Sequence, residues 1–297
     1  MDIRMDTRIR TGIVFGFAIL VCAVFVRFFI ARPHDAWRAF VEDGLLHVYF
    51  LDIGQGDAIY VRAPDGSDML VDSGPSAEVL REKLSDVMPP GDRKIDVVVE
   101  THPDADHISG FPDILEDFEV GSFLEPGIGS KNSIDDEIKK LVSEKGIRDI
   151  RARRGESYKI GPDVSFRILF PDEDVSNYKD TNEASIVAEV VYASTTVLLT
   201  GDSPKKIENH LMKLDAAGLR SDILKLGHHG SRTSSGKAFV QAVSPAYAIV
   251  SAGEGNRYGH PHKEVLDILR SLHIPVLRTD REGTIEFVSD GKRVWRK

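Results

Sequence analysis

Two histidines and two aspartates fall within the six positions His102-Pro103-Asp104-Ala105-Asp106-His107. Imidazole nitrogen and carboxylate oxygen are the donors that divalent ions of the zinc and manganese class accept. Alternate residues on an extended or tightly turning segment can direct two pairs of donors at two adjacent ions. The competing reading is a polar loop whose aspartates cap the next helix, and for Asp106 alone that would suffice. Two later segments strengthen the metal reading. Thr196-Val197-Leu198-Leu199-Thr200-Gly201-Asp202 ends an apolar run in a carboxylate placed to bridge two ions, although an isolated Asp202 could equally cap a helix. Ile223-Leu224-Lys225-Leu226-Gly227-His228-His229-Gly230-Ser231 ends another apolar run in paired histidines, with glycines on both sides that permit close backbone approach.

Such donors need rigid supports. Leu46 to Leu51 alternates as a strand, Gly54-Gln55-Gly56-Asp57 turns, Ala58 to Val61 continues, and Met69-Leu70-Val71 follows Asp65-Gly66, which together open like a β-meander. Residues 75–88 read as a helix, and Ile95 to Val99 is a short apolar strand running straight into the His/Asp cluster. A helix is predicted over 133–145 and strands over 163–170 and 184–200, with Ala193-Ser194 as a hairpin turn in the latter. Helices near 203–214, 236–243 and 261–271 then alternate with strands near 222–226, 246–251 and 284–288. Strand-rich halves that each carry helices predict an α/β fold of two facing sheets with helices outside.

The chain has 297 residues, 41% hydrophobic and 29% charged, which excludes a disordered protein. Its single cysteine, Cys22, excludes an intrachain disulfide and a thiolate-rich zinc site, so any metal must use histidine and carboxylate. Residues 1–11 form a short basic tail, and 12–31 an apolar segment interrupted by Arg27. That segment is expected to be an uncleaved transmembrane anchor, a cleaved signal segment being the alternative. Residues 32–44 read as a linker and 45–297 as the globular domain. Six arginines and three aspartates lie in residues 1–40, leaving 32 basic against 44 acidic groups beyond residue 40. So acidic a body argues against a broad electrostatic track for nucleic acid. Residues 223–253, however, contain no Asp or Glu while carrying Lys225, Arg232 and Lys237, which leaves room for a local anion site. Arg148, Arg151, Arg153 and Arg154 form a basic run, either a solvated face or a guide for a strand of DNA.

Six segments in order give a family resemblance: Leu51 to Ala58, Leu70-Val71-Asp72-Ser73-Gly74, residues 101–110, Leu199-Thr200-Gly201-Asp202, Leu226 to Ser231, and Asn256-Arg257-Tyr258-Gly259-His260-Pro261. Over roughly 46–290 the chain resembles metallo-β-lactamase-fold proteins, and within them the C-terminal hydrolase domain of the ComEC DNA-uptake competence family. The resemblance implies an αββα sandwich with metals at one edge. It assigns His102 and Asp104 to one ion and Asp106, His107 and His228 to the other, with Asp202 bridging. His229 would pack or lie behind the ligands, and Asp72 would orient the metal loop. Asp52, Gln55 and Asp57 would approach the pocket, or simply build a tight turn. Asp104 stands where the broader superfamily has a second histidine, and no histidine occurs between His107 and His210. Asn182 falls in the region where a further ligand of the first site would be sought. That first site is therefore oxygen-rich, which favours manganese or magnesium over zinc there and leaves one or two ions open.

The activity implied is hydrolysis, in which the ions lower the pKa of water and stabilise charge on a phosphoryl group while Asp106 orients the water. His260 would protonate the leaving oxygen or bind phosphate, unless it only holds its turn. Ser231, Arg232, Thr233, Ser234 and Lys237, with neighbouring Ser235, precede or open a predicted helix and could bind phosphate oxygens, or could merely cap it. The leading expectation is a phosphodiesterase acting on extracytoplasmic DNA, more than on RNA, bound to the cell membrane through residues 12–31 and serving other competence-machinery proteins. The alternatives are a metallo-hydrolase of small esters, lactams or thioesters, and a non-catalytic nucleic-acid-binding module.

Overall fold

Period-two alternation sends each strand's side chains to two different cores. In β1 (Leu46–Phe50), Leu46, Val48 and Phe50 enter one apolar cluster and Tyr49 another; Ile59 and Val61 of β2 (Ile59–Arg62) separate from Tyr60 in the same way. The computed structural model describes residues 43–297, and the apolar 12–31 segment, with the anchor and linker expected around it, lies outside them. Among the described residues no helix is long and apolar enough to cross a membrane.

The first sheet adds β3 (Asp68–Val71), β4 (Lys94–Val99), β5 (Glu119–Glu125), β6 (Arg148–Arg151), β14 (Ile285–Ser289) and β15 (Val294–Arg296), in the order β15-β14-β1-β2-β3-β4-β5-β6. The second holds β7 (Ser157–Lys159), β8 (Val164–Phe170), β9 (Val187–Tyr192), β10 (Thr195–Leu199), β11 (Ile223–Lys225), β12 (Tyr247–Val250) and β13 (Val276–Arg278), in the order β13-β12-β11-β10-β9-β8-β7. One core cluster joins Phe50, Val71 and Phe287 of the first sheet to Phe166, Val197 and Ile249 of the second. A second packs the outer face of the first sheet on α1 (Ala77–Val87), α2 (Ala105–Ile108), α3 (Phe111–Asp117) and α4 (Ser133–Glu144). The third packs the outer face of the second sheet on α5 (Lys205–Asp215), α6 (Lys237–Val243) and α7 (Lys263–Ser271). This is the αββα sandwich expected from the sequence. The meander β1-β2-β3 is antiparallel, and the β9-β10 hairpin turns at Ala193, whose φ is 50°.

Two arrangements position the site. β3, β4 and β5 are parallel neighbours in the first sheet, as are β10, β11 and β12 in the second, so the loops after β3, β4, β10 and β11 leave the carboxyl ends of their strands. The basic run, in contrast, serves the framework. Arg148 and Arg151 are exposed on the edge strand β6, while Arg153 donates to the carbonyls of Pro126 and Ala152 and Arg154 to that of Leu169. Charge on an edge strand blocks sheet-to-sheet pairing, a structural use for the exposed Arg148 and Arg151.

Asp68, 3% exposed, accepts the Tyr60 hydroxyl at 2.8 Å and the Asp96 amide at 2.9 Å. Burial outweighs these bonds and raises its carboxyl from 3.8 to about 7. Because the folded value lies above the unfolded one, its contribution to stability is fully present below about pH 4 and is lost as pH rises through 7. Asp68→Asn should therefore gain stability relative to the parent across that window, by up to about 1.4 kcal/mol per pH unit crossed. Urea midpoints of both proteins at several pH values check the difference; a constant offset would contradict it.

Candidate metal centre

Asp72, which follows β3 in a left-handed conformation (φ 57°), is the anchor of the loop after β4. Its carboxylate accepts the Thr101 amide and hydroxyl, each at 2.8 Å, and the His107 Nδ1–H at 2.8 Å. Since the Thr101 hydroxyl donates to Asp72, its oxygen is left to accept His102 Nδ1–H at 3.0 Å. Both imidazoles are thereby fixed as tautomers with Nε2 lone pairs. Both Nε2 atoms are buried without a partner, and so is Oδ1 of Asp202, which lies 3.4 Å from His107 Nε2.

His102 Nε2 stands 3.8 Å from Asp104 Oδ2 and 3.9 Å from Asp202 Oδ2. The other oxygen of Asp104 accepts the Thr181 hydroxyl at 2.5 Å, which ties the 3-10 turn Asn182–Ala184 to this loop; Asn182 Oδ1 is itself buried and unpartnered. On the opposite sheet the residues after β11 take an uncommon path. His228 (φ 49°, ψ 50°) and His229 (φ 54°, ψ 26°) are consecutive left-handed non-glycine residues, at a cost of about 1–2 kcal/mol each, which marks a segment held by its surroundings.

That path places the two histidines differently from what the resemblance implied. His229 is turned into the interior, 1% exposed, where its Nδ1 donates to the Ser251 carbonyl at 3.1 Å. Its Nε2 meets Asp106 Oδ2 at 3.2 Å and Asp202 Oδ2 at 3.6 Å. His228, 29% exposed, has Nε2 3.6 Å from the same Asp202 oxygen and Thr233 Oγ1 at 3.4 Å from Nδ1. The residue assigned to a ligand thus stands at the rim, and the residue assigned to packing points inward. Ligand atoms of Asp57, His107, Asp202 and His229 all lie within 4.8 Å of one another. Replacing His229 by Ala should lower metal content more than replacing His228, as metal analysis of the two purified variants would read. The reverse order would restore His228 as the ligand.

Asp57 was open between pocket and turn; it joins the site from behind. One oxygen accepts the Lys225 ammonium at 2.8 Å; the other, 3.3 Å from His229 Nδ1, is buried without a hydrogen-bond partner and is a further candidate ligand atom. The turn carrying it is wedged against the metal loop, because a Cβ on Gly56 (φ 136°) would stand 2.1 Å from the Asp106 carbonyl oxygen. Gln55 braces the other side by accepting the Gly253 amide at 3.3 Å.

The electrostatics favour a cation. Burial alone would raise the Asp202 carboxyl, yet His229, His107 and His102 hold it well below the usual carboxylate range. Burial would lower His107 and His229, but Asp202 and Asp72 push the first well up, and Asp202, Asp106 and Asp57 bring the second up to about 9. His102 is lowered, by burial and by the neighbouring His107. The field that draws protons onto two buried imidazoles is the field that would draw a divalent ion. With three unpartnered buried donor atoms converging on a mixed nitrogen and oxygen set, the residues fit the expected metal.

Several expected substrate contacts are spent elsewhere. Lys225 is fully buried on Asp57, so it cannot bind an external anion. Ser234 is buried and donates to the Ser203 carbonyl at 2.8 Å, and Ser231 is buried and accepts the Thr233 hydroxyl at 2.9 Å. The amides of Ser235 and Gly236 ahead of α6 are already taken by the Glu208 carboxylate, so no phosphate site opens there. Arg232, Thr233 and Lys237 remain exposed. His260 is 8% exposed with an unpartnered Nδ1, and its turn is held by Asn256, which bonds the backbone of Gly253 and His260. Its imidazole is therefore not needed by the turn and packs against His228 at 5.5 Å; burial with His229, His228 and His262 brings its pKa down to about 4.

The chain is 34% identical over 256 residues, 81% of its length, to ComE operon protein 3 of Bacillus subtilis (strain 168), of which it covers 32%. It is 33% identical over 270 residues, 91% of its length, to Competence protein ComA of Neisseria gonorrhoeae, of which it covers 35%. It thus spans about a third of the length of these curated relatives. Among solved structures, a metallo hydrolase of the archaeon Ignicoccus hospitalis superposes with a TM-score of 0.53 at 17% identity, over 82% of this chain and 98% of that one, which establishes a shared fold. The Metallo-beta-lactamase superfamily profile matches residues 51–254, the stretch that holds Asp57, Asp72, His102, Asp104, Asp106, His107, Asp202, His228 and His229, and the chain belongs to that superfamily.

Proposed function

We propose that the protein is a metal-dependent phosphodiesterase that cleaves nucleic acid, single-stranded DNA in the first place, held at the membrane through residues 12–31 with its catalytic domain outside the cytoplasm. The observation that carries the hydrolytic reading is the convergence of unpartnered His102 Nε2, His107 Nε2 and Asp202 Oδ1 in one buried space. His107, His229, Asp106 and Asp202 would hold one ion, and His102, Asp104 and Asp202 a second. Bound there, divalent ions supply Lewis acidity and activate the nucleophile.

The protein's own groups do the rest. Asp106, 36% exposed and anchored to His229, stands at the rim where its carboxylate can orient the attacking water and accept a proton. His260 presents an unpartnered Nδ1 beside His228, where it would meet a leaving oxygen. Arg232 and Lys237, exposed in an acid-free stretch, offer charge to a phosphodiester. The choice of DNA draws on the relative named Competence protein ComA and on the resemblance to the DNA-uptake family. Manganese- or zinc-loaded full-length protein should cleave single-stranded DNA faster than RNA, with no turnover of nitrocefin or a thioester. Turnover of nitrocefin or thioester alone would overturn the phosphodiesterase reading in favour of a small-molecule hydrolase.

A further inference from the structure

A ladder of aromatic rings climbs from the metal centre to the surface. His228, 3.6 Å from Asp202, meets His260 edge-on at 5.5 Å, and His260 in turn stacks on Tyr258 with centroids 5.7 Å apart and planes 22° from parallel. Tyr258 is 50% exposed, one of three large apolar side chains that stand out of the described surface, and it alone of the three connects to the centre through stacked rings. The guanidinium of the exposed Arg257 lies 4.9 Å from its ring centroid and donates to its hydroxyl at 2.7 Å. Neither residue is needed for the turn, which Asn256 holds through the backbone.

An exposed aromatic with an exposed cation beside it, two ring contacts from the candidate metal centre, has the parts of a nucleotide site. We infer that Tyr258 is the stacking platform for a base of a single-stranded nucleic acid, next to the phosphodiester at the metal centre. The base stacks on the exposed part of the ring, and the neighbouring Arg257 guanidinium takes the adjoining phosphate, where its planar fork can bond two oxygens. His260 packs against the ring with centroids 5.7 Å apart, so the platform is braced before the base arrives. Because every base has a π face, such a site selects nucleic acid over other phosphodiesters without reading sequence. The inference rests on the phosphodiesterase reading for its location and adds the feature of the substrate that is recognised.

The test is binding, read by fluorescence anisotropy with full-length protein in chelator so that nothing is cleaved. The probes are labelled oligothymidylate and an abasic strand of the same length. Wild type should bind oligothymidylate about tenfold more tightly than the abasic strand. Tyr258→Phe should keep that ratio, Tyr258→Ala should bring it to about one, and Arg257→Ala should weaken binding to both strands. Equal affinity of wild type for the two strands, absence of binding, or a preference that survives Tyr258→Ala overturns the inference. Cleavage of the same oligothymidylate by metal-loaded protein is scored separately. Cleavage without base preference removes the platform and leaves the phosphodiesterase, whereas base preference without cleavage does the reverse.

Discussion

Asp202→Ala is expected to lose at least about 10³-fold in kcat/KM and to retain less metal than any other single variant. The magnitude corresponds to several kcal/mol of transition-state stabilisation surrendered by badly held ions. The reason is positional. Asp202 follows β10 at the crossing point of both sheets' loops, and its two oxygens lie within 3.4–3.9 Å of imidazole nitrogens of His102, His107, His228 and His229. No other carboxylate in the site faces four histidines. Its amide is held by the Ser185 hydroxyl at 3.2 Å, so the backbone should keep its path when the side chain is cut. Metal analysis and steady-state rates of parent and variant read both effects; full occupancy with normal turnover would remove Asp202 from the centre.

Lys225→Met should destabilise the fold by about 3–5 kcal/mol, the usual consequence of stranding a buried charge. Lys225 is 0% exposed and its ammonium has two partners, Asp57 at 2.8 Å and the Leu226 carbonyl at 3.1 Å. Burial would raise the Asp57 carboxyl, and the Lys225 ammonium with His229 is what keeps it below the usual range. Without the lysine, Asp57 either stays charged at high cost or takes a proton and no longer supplies negative charge beside His229. Urea unfolding measures the loss. The double variant Asp57→Asn with Lys225→Met should recover much of the stability, since no charge is left unpaired, while metal retention stays impaired. A single variant as stable as the parent would mean that water reaches the pair.

How far the sequence carried this picture depended on separation along the chain. Strands whose alternation is strong, such as β1, β2, β8 and the β9-β10 hairpin, are readable because their own side chains report both cores. β5 was missed since Glu119, Gly121 and Ser122 dilute its pattern, and β6 because Arg-Asp-Ile-Arg at a sheet edge has charge where alternation would be. In the site, the 102–107 cluster and Asp202 were singled out because each follows a recognisable strand, and Asp72 through the family resemblance. The Asp57–Lys225 pair was not, because 168 positions separate its members and a lysine inside an apolar run gives no sign of its partner. The order of His228 and His229 was illegible for another reason: two left-handed residues in succession decide which ring points inward, and neither residue type announces that conformation. Glu208, 27 and 28 positions before the amides it caps, likewise removed a phosphate site that the local sequence had offered.

The most direct test of the account is the metal dependence of single-stranded DNA cleavage by the full-length protein stripped with chelator. The convergent imidazoles and aspartates predict no cleavage in the stripped protein and recovery as manganese or zinc is titrated back, complete when one or two ions are bound per chain. Cleavage that proceeds unchanged in chelator would contradict a metal centre at Asp202, as would stripped protein that no divalent ion revives.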